Sequence, residues 1–147
     1  MTKHYLDDDA VAHVGLGLLD RTLPKAEWTH AAHFAAALWL LRSRPDLPLA
    51  ERMAEIIRAY NEATDTPNTD SGGYHETITR ASMTAAISVL SHQPAARPLH
   101  EVVDVLMATE LGRSDWPLAY WSKATLFSVE ARRAWVGPDL QPLPQRF

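Results

Sequence analysis

Two histidines stand three residues apart at the start of the most apolar segment of the sequence. They are His30 and His33, in the motif W-T-H-A-A-H at residues 28–33. Residues three apart in an α-helix rise by about 4.5 Å and share one face, so both imidazoles could reach a point about 2 Å from a nitrogen of each ring. This spacing is typical of metal ligands. It equally fits histidines that hydrogen-bond backbone or carboxylate groups at a helix start.

A third histidine follows the longest polar loop, in the motif G-G-Y-H-E-T at residues 72–77. If the helix that begins there packs beside the one that carries His30 and His33, His75 could supply a third nitrogen and leave a fourth position open for water. Three protein ligands plus water are typical of catalytic zinc sites, and imidazole also suits iron, nickel or copper. The sequence therefore predicts a divalent metal ion, zinc before the others. Glu76 would be a fourth ligand, a partner that orients a histidine, or the acid or base for the bound water.

The polar residues near these histidines allow two interpretations. In the first interpretation they line a substrate pocket, and the candidates are Glu27, Tyr60, Asn61, Asn68, Asp70, Tyr74 and Arg80. In the second interpretation their roles are structural: Glu76 and Arg80, four residues apart, form an ion pair, and Asp70 or Ser71 caps the following helix. Glu27 has a further possible role, because it stands three residues before His30 and could bind the metal or orient that ring.

The composition limits the chemistry further. The 147 residues include no cysteine and seven histidines, so the ligands of any metal must be histidine and carboxylate. The four other histidines are predicted to be solvated or to cap helices. A net charge of −4 argues against nucleic acid and against anionic membranes as partners. The longest apolar stretch, residues 31–41, is far shorter than the roughly 20 residues of a membrane span, and no signal peptide is evident, so a cytoplasmic location is expected.

Apolar residues recur at the helical period along most of the chain, and no segment alternates at period two. The pattern predicts an all-α, single-domain bundle over residues 1–147. We expect a loose tail at residues 1–6 and an extended, proline-rich tail at residues 137–147. The longer helices are predicted near residues 7–19, 25–42, 46–62, 74–91 and 99–111, with short ones at 118–123 and 128–135.

Individual residues add to this prediction. Gly15 and Gly17 should make the first helix dependent on packing. Trp39 and Trp135 are expected to fill the core.

Three patterns together resemble a family of uncharacterised bacterial proteins. They are W-T-H-x-x-H at residues 28–33, N-T-D-S-G-G-Y-H-E-T at residues 68–77, and Ser122 followed by L-F-S at 126–128 and A-R at 131–132. The resemblance extends from about residue 23 to residue 143. It implies no particular activity, and it favours one continuous fold over a composite of unrelated fragments.

Two functional hypotheses follow from the sequence. The first is a metal-dependent enzyme that acts on a small molecule through a histidine-bound metal and Glu76. The second is a helical ligand-binding or protein-interaction module whose histidines form hydrogen bonds without a metal. A homodimer is a further possibility if the first or fifth helix leaves an apolar face exposed.

Overall fold

Seven α-helices and no β-strand make up the fold, so the prediction of an all-α protein is confirmed. A computed structural model describes residues 1–147. The longer helices are α1 (Asp8–Asp20), α2 (His30–Ser43), α3 (Leu49–Ala63), α4 (Glu76–Ser91) and α5 (Leu99–Met107). Two short helices, α6 (Lys123–Leu126) and α7 (Val129–Arg133), follow. Turns of 3₁₀ helix occupy Lys25–Glu27, Glu110–Gly112 and Trp116–Ala119.

Helix α2 lies at the centre of the molecule, where it contacts α1, α4 and α5. All of its residues from Ala32 to Leu40 except His33 are buried. Because its sequence is apolar on nearly every side, other helices can surround it. The 28 buried residues of the hydrophobic core form one cluster around it.

The start of α2 differs from the sequence prediction. A single helix from residue 25 to 42 was expected, but the helix is interrupted at Trp28 and Thr29. Thr29 is extended, and its hydroxyl oxygen accepts the Ala32 N–H at 3.2 Å, as a threonine N-cap does. His30 is therefore the first residue of α2. Trp28 lies outside the helix, where its ring can stack on that of His33.

The start of α4 also has a different cap from the predicted one. Asp70 and Ser71 do not cap this helix, so that prediction was wrong. The N-cap is His75, whose Nδ1 accepts the Ile78 N–H at 3.1 Å. Gly73, with φ of 78°, supplies the left-handed backbone that turns the loop toward His75.

Both ends of the chain contact the body of the protein. Near the N-terminus, Tyr5 packs against the core and the His4 N–H donates to Asp104. The C-terminal segment, residues 137–147, contains no helix, as predicted. It is anchored by Asp139, whose carboxylate accepts hydrogen bonds from residues at the start of α6, and by the Phe147 ring against Trp116.

The tryptophans divide between the core and the surface. Trp39 is buried, as expected, whereas Trp135 is 38% exposed, so its predicted core role was wrong. Trp121 is fully buried instead and meets Trp135 edge to face. Trp135 lies beyond the end of α7 and just before Gly137 and Pro138, so its ring stays near the surface, where it contacts Trp121 and Arg80.

No apolar face of the fifth helix remains for a partner. Helix α5 ends at Met107 rather than at Leu111, and its apolar residues are buried in the core of the same chain or, for Val105 and Met107, partly buried against it. On α1, Leu16 is the one large hydrophobic residue that is exposed. None of the helices has the length and hydrophobicity that crossing a lipid bilayer requires.

Candidate ligand-binding site

An open cavity of about 480 Å³ lies between the start of α2, the sides of α3 and α4, and the segment that follows α5. Hydrophobic residues make up 12 of the 19 residues that line it, among them Trp28, Phe34, Ile57, Met83 and Trp116. Small-molecule sites are typically clefts of about 300–1,000 Å³ with apolar walls and a few polar groups. The cavity therefore has the size and the lining of such a site.

His33 is the polar group of greatest interest on this wall. Its Nδ1 lies 2.6 Å from the carbonyl oxygen of Thr29. Because a carbonyl can only accept, Nδ1 carries the proton and donates it, which leaves a lone pair on Nε2 of the neutral ring. The Trp28 ring stacks on the imidazole at 3.9 Å between centroids and fixes its plane. No protein group hydrogen-bonds Nε2, so this acceptor is available to a ligand.

The surroundings of His33 favour the neutral ring. The ring is exposed to solvent because it borders the open cavity, yet the neighbouring protein atoms replace much of its hydration. This desolvation lowers the pKa of His33 below its usual 6.5, the Thr29 carbonyl partly opposes the shift, and the nearby His30 adds to it. His33 is therefore an uncharged acceptor at neutral pH.

His30 lines the same cavity with its ring held in the other tautomer. Its Nε2–H donates to the carbonyl oxygen of Leu111 at 2.7 Å, so its free lone pair is on Nδ1. The ring meets Phe34 edge to face at 5.5 Å. The H-x-x-H motif thus places two imidazoles on one cavity wall, each oriented by a backbone carbonyl.

His75 does not line this cavity, and both of its nitrogens already have partners. Nδ1 accepts the Ile78 N–H, and Nε2–H donates at 2.7 Å to the carbonyl oxygen of Leu126. With 7% of its surface exposed, the residue is buried. Burial lowers its pKa, the positive charge of Arg132 lowers it further, and the Leu126 carbonyl opposes the shift. His75 is thus a neutral histidine that joins α4 to α6.

The predicted three-histidine grouping does not form in this structure. No three histidine, aspartate or glutamate side chains are placed to hold a metal ion together. The physical reason is that the two hydrogen bonds of His75 use the lone pair a metal would need. Metal binding by the protein stays a prediction.

Glu76 has neither of the partners that the sequence suggested. Its carboxylate accepts the Tyr74 hydroxyl at 2.5 Å, whereas Arg80 lies over the Trp135 ring at 5.5 Å. The Glu76–Arg80 ion pair is therefore not formed, and each group interacts with a different partner. Burial of the phenol, together with its hydrogen bond to the Glu76 carboxylate, raises the pKa of Tyr74 well above 10.

The remaining pocket candidates divide into two groups, neither on the apolar wall. Glu27 pairs with His13 at 3.1 Å, and the buried Tyr60 donates its hydroxyl to the Leu23 carbonyl. The second group belongs to the polar loop. Asn61 donates to Asn68 at 3.0 Å and thereby ties the loop to α3. Asp70 and Tyr74 line a separate cavity beside this loop.

Several polar residues on the apolar wall were missed by sequence reasoning. They are Thr79 and Ser82 of α4, and Ser114 and Asp115 of the segment after α5. The two α4 residues could have been found, because they lie one helical turn apart on the side that holds Ile78 and Met83. The other two stand in an irregular turn, whose position depends on contacts distant in sequence.

Comparison with known protein families, with curated proteins and with solved structures finds no match.

The two neutral histidines predict a stability that depends on pH. The folded-state pKa values of His33 and His75 are below the usual 6.5, so the unfolded chain binds protons first as the pH falls. Their contribution is complete above about pH 6.5 and is lost as the pH falls through the interval below it. We expect the urea midpoint to drop between about pH 7.5 and pH 5.5. A urea midpoint that does not change with pH would contradict the assignment of both histidines as neutral. An equal drop in the His75→Asn variant would show that His75 does not contribute to it.

Proposed function

We propose that this protein binds a small, largely apolar molecule in the cavity beside α2, and that His33 selects ligands with a hydroxyl or N–H donor. The observation that carries the proposal is the tautomer of His33. Its Nδ1–H is committed to the Thr29 carbonyl, and its unpartnered Nε2 belongs to a ring on an otherwise mainly apolar wall. A donor on the ligand loses its hydrogen bonds to water when it enters such surroundings, and a hydrogen bond to Nε2 replaces them.

The aromatic wall favours a flat ligand over a bulky one. Trp28 and Trp116 both line the cavity, and Trp28 also packs at 5.2 Å against Tyr60. Aromatic side chains gain from stacked and edge contacts with a planar ring in addition to burying its area. A fused aromatic alcohol is therefore a suitable probe of both features.

The test compares 1-naphthol with naphthalene, which has the same rings without the hydroxyl. We expect saturable quenching of tryptophan fluorescence by both compounds, with tighter binding of 1-naphthol. Changing His33→Phe keeps a ring against Trp28 and removes the acceptor, so we expect the Kd for 1-naphthol to rise about tenfold and that for naphthalene to change little. Isothermal titration calorimetry at neutral pH gives both constants.

A matched control is His92→Phe, because His92 is exposed at the far end of α4 and does not line the cavity. It should bind both compounds as the wild type does. If neither compound saturates, or if His33→Phe retains the preference for 1-naphthol, the proposal is wrong.

Metal content separates this function from a metal-dependent one. We expect the Kd for 1-naphthol to be unchanged after dialysis against EDTA, and elemental analysis of untagged protein to find less than one metal ion per chain. A stoichiometric metal that disappears in His30→Ala and His33→Ala, together with loss of 1-naphthol binding in EDTA, would replace the proposal by the metal site.

A further inference from the structure

A second cavity, of about 350 Å³, lies beside the polar loop and is lined almost entirely by polar residues. Helix α3 contributes Arg58 and Glu62, and the C-terminal end of α7 contributes Arg132 and Arg133. The loop between α3 and α4 forms the remaining wall. Three guanidinium groups from two distant parts of the sequence therefore face one space.

The three arginines differ in how many of their donors are already used. Arg133 donates two hydrogen bonds to Asp70, at 2.8 and 2.6 Å. Arg132 donates through Nη1 alone, to the carbonyl oxygens of Gly73 and Tyr74. Arg58 has no hydrogen bond from its guanidinium to any protein group. The free donors in the cavity are thus those of Arg58, the Nε and Nη2 groups of Arg132, and the Nη1 group of Arg133.

Contacts within the protein hold the Arg58 guanidinium in place. It lies over the Tyr74 ring, 5.0 Å from the centroid, in a cation–π contact. The Tyr74 ring is itself fixed by its hydroxyl bond to Glu76. At the backbone, the Arg58 carbonyl accepts a hydrogen bond from Asn68 at 3.2 Å, which ties the loop to this point of α3. The guanidinium group of Arg58 is therefore already oriented before a ligand binds.

The charge of the cavity indicates the class of ligand. Three guanidinium groups face two carboxylates, Glu62 and Asp70, which leaves one formal positive charge in a chain whose net charge is −4. Planar guanidinium forks match a carboxylate with two parallel hydrogen bonds. The unpaired Glu62 disfavours a ligand with two negative charges. We propose that this cavity binds the carboxylate group of a small molecule through Arg58 and Arg132.

The test is a titration with sodium acetate, followed by NMR on the side-chain Nε–H signals of the arginines at constant ionic strength. We expect saturable shifts for Arg58 and Arg132. Changing Arg58→Gln should raise the Kd for acetate about tenfold, because one charge-assisted pair of bonds is lost. Since the Arg58 side chain is exposed and makes no hydrogen bond, this variant should fold as the wild type does, which circular dichroism checks.

Arg52→Gln is the matched control. Arg52 is on the same helix, pairs with Glu55 and does not line the cavity, yet its removal changes the net charge equally. Acetate binding should be unaffected in this variant. Equal weakening in the two variants would show a general charge effect and overturn the proposal, as would shifts that do not saturate.

Two further measurements separate this site from its alternatives. Inorganic phosphate at the same ionic strength should bind less tightly than acetate, and tighter binding of phosphate would overturn the assignment to a carboxylate. His33→Phe should bind acetate as the wild type does, because His33 does not line this cavity. Failure of acetate binding therefore leaves the test with 1-naphthol untouched, and the reverse also holds.

Discussion

Replacing His75 by alanine is expected to lower the free energy of unfolding by about 3 kcal/mol. The change removes the N-cap of α4, which accounts for about 1 kcal/mol in typical helices. It also leaves the Leu126 carbonyl, which accepts from His75 at 2.7 Å, without its donor in a buried region, at a typical cost of about 1–3 kcal/mol. Urea denaturation at neutral pH, followed by circular dichroism, measures the loss.

Two variants resolve this loss into its parts. Asparagine is a good N-cap, so His75→Asn should regain about 1 kcal/mol while the bond to Leu126 stays broken. His92→Ala, at the exposed C-terminal end of the same helix, should change the free energy by less than about 0.5 kcal/mol. A wild-type midpoint in His75→Ala would show that the ring makes neither bond and is free to bind a metal.

The helices were predictable because their signals are local. In α3, the residues Met53, Ile56 and Tyr60 recur on one face, and all three are buried. The break before α2 was in principle readable too, since Thr29 is a good N-cap residue three positions before Ala32, the residue whose N–H it accepts. The expectation of one continuous helix over residues 25–42 concealed it.

The partners of the candidate site residues were not predictable in this way. The role of His75 depends on a carbonyl 51 residues further along the chain, and that of Asp70 on Arg133, 63 residues away. A sequence gives the chemistry of a side chain but not the distant group that faces it. His33 is different, because the carbonyl that fixes its tautomer, on Thr29, is four residues away and follows from the helix itself.

The contrast between His33 and His75 also explains how one protein can contain both rigid and available imidazoles. His75 has two partners and stabilises the fold. His33 and His30 each have one, and their second nitrogen lies on a ring that borders the cavity. Counting the partners of each ring nitrogen therefore separates candidate binding groups from structural ones, which spacing along the sequence does not.

Replacing Gly15 by alanine is expected to lower the free energy of unfolding by about 2 kcal/mol, although alanine is the better helix former by about 1 kcal/mol. Gly15 is buried where α1 crosses α2. A Cβ at this position would overlap the Trp39 ring, with 2.5 Å to Cδ2. Trp39 is 9% exposed, so its ring cannot move aside without displacing the core.

The same substitution elsewhere, and a smaller partner, test this explanation. Gly137→Ala should be neutral, since no atom lies within 4 Å of the added carbon. Trp39→Leu should be destabilising alone, but in the Gly15→Ala background it should cost about 1–2 kcal/mol less, because the overlap has been removed. Strict additivity of the two changes would show that Gly15 and Trp39 do not contact each other. The glycine would then weaken α1 only through its helix propensity, and Gly15→Ala would stabilise the protein.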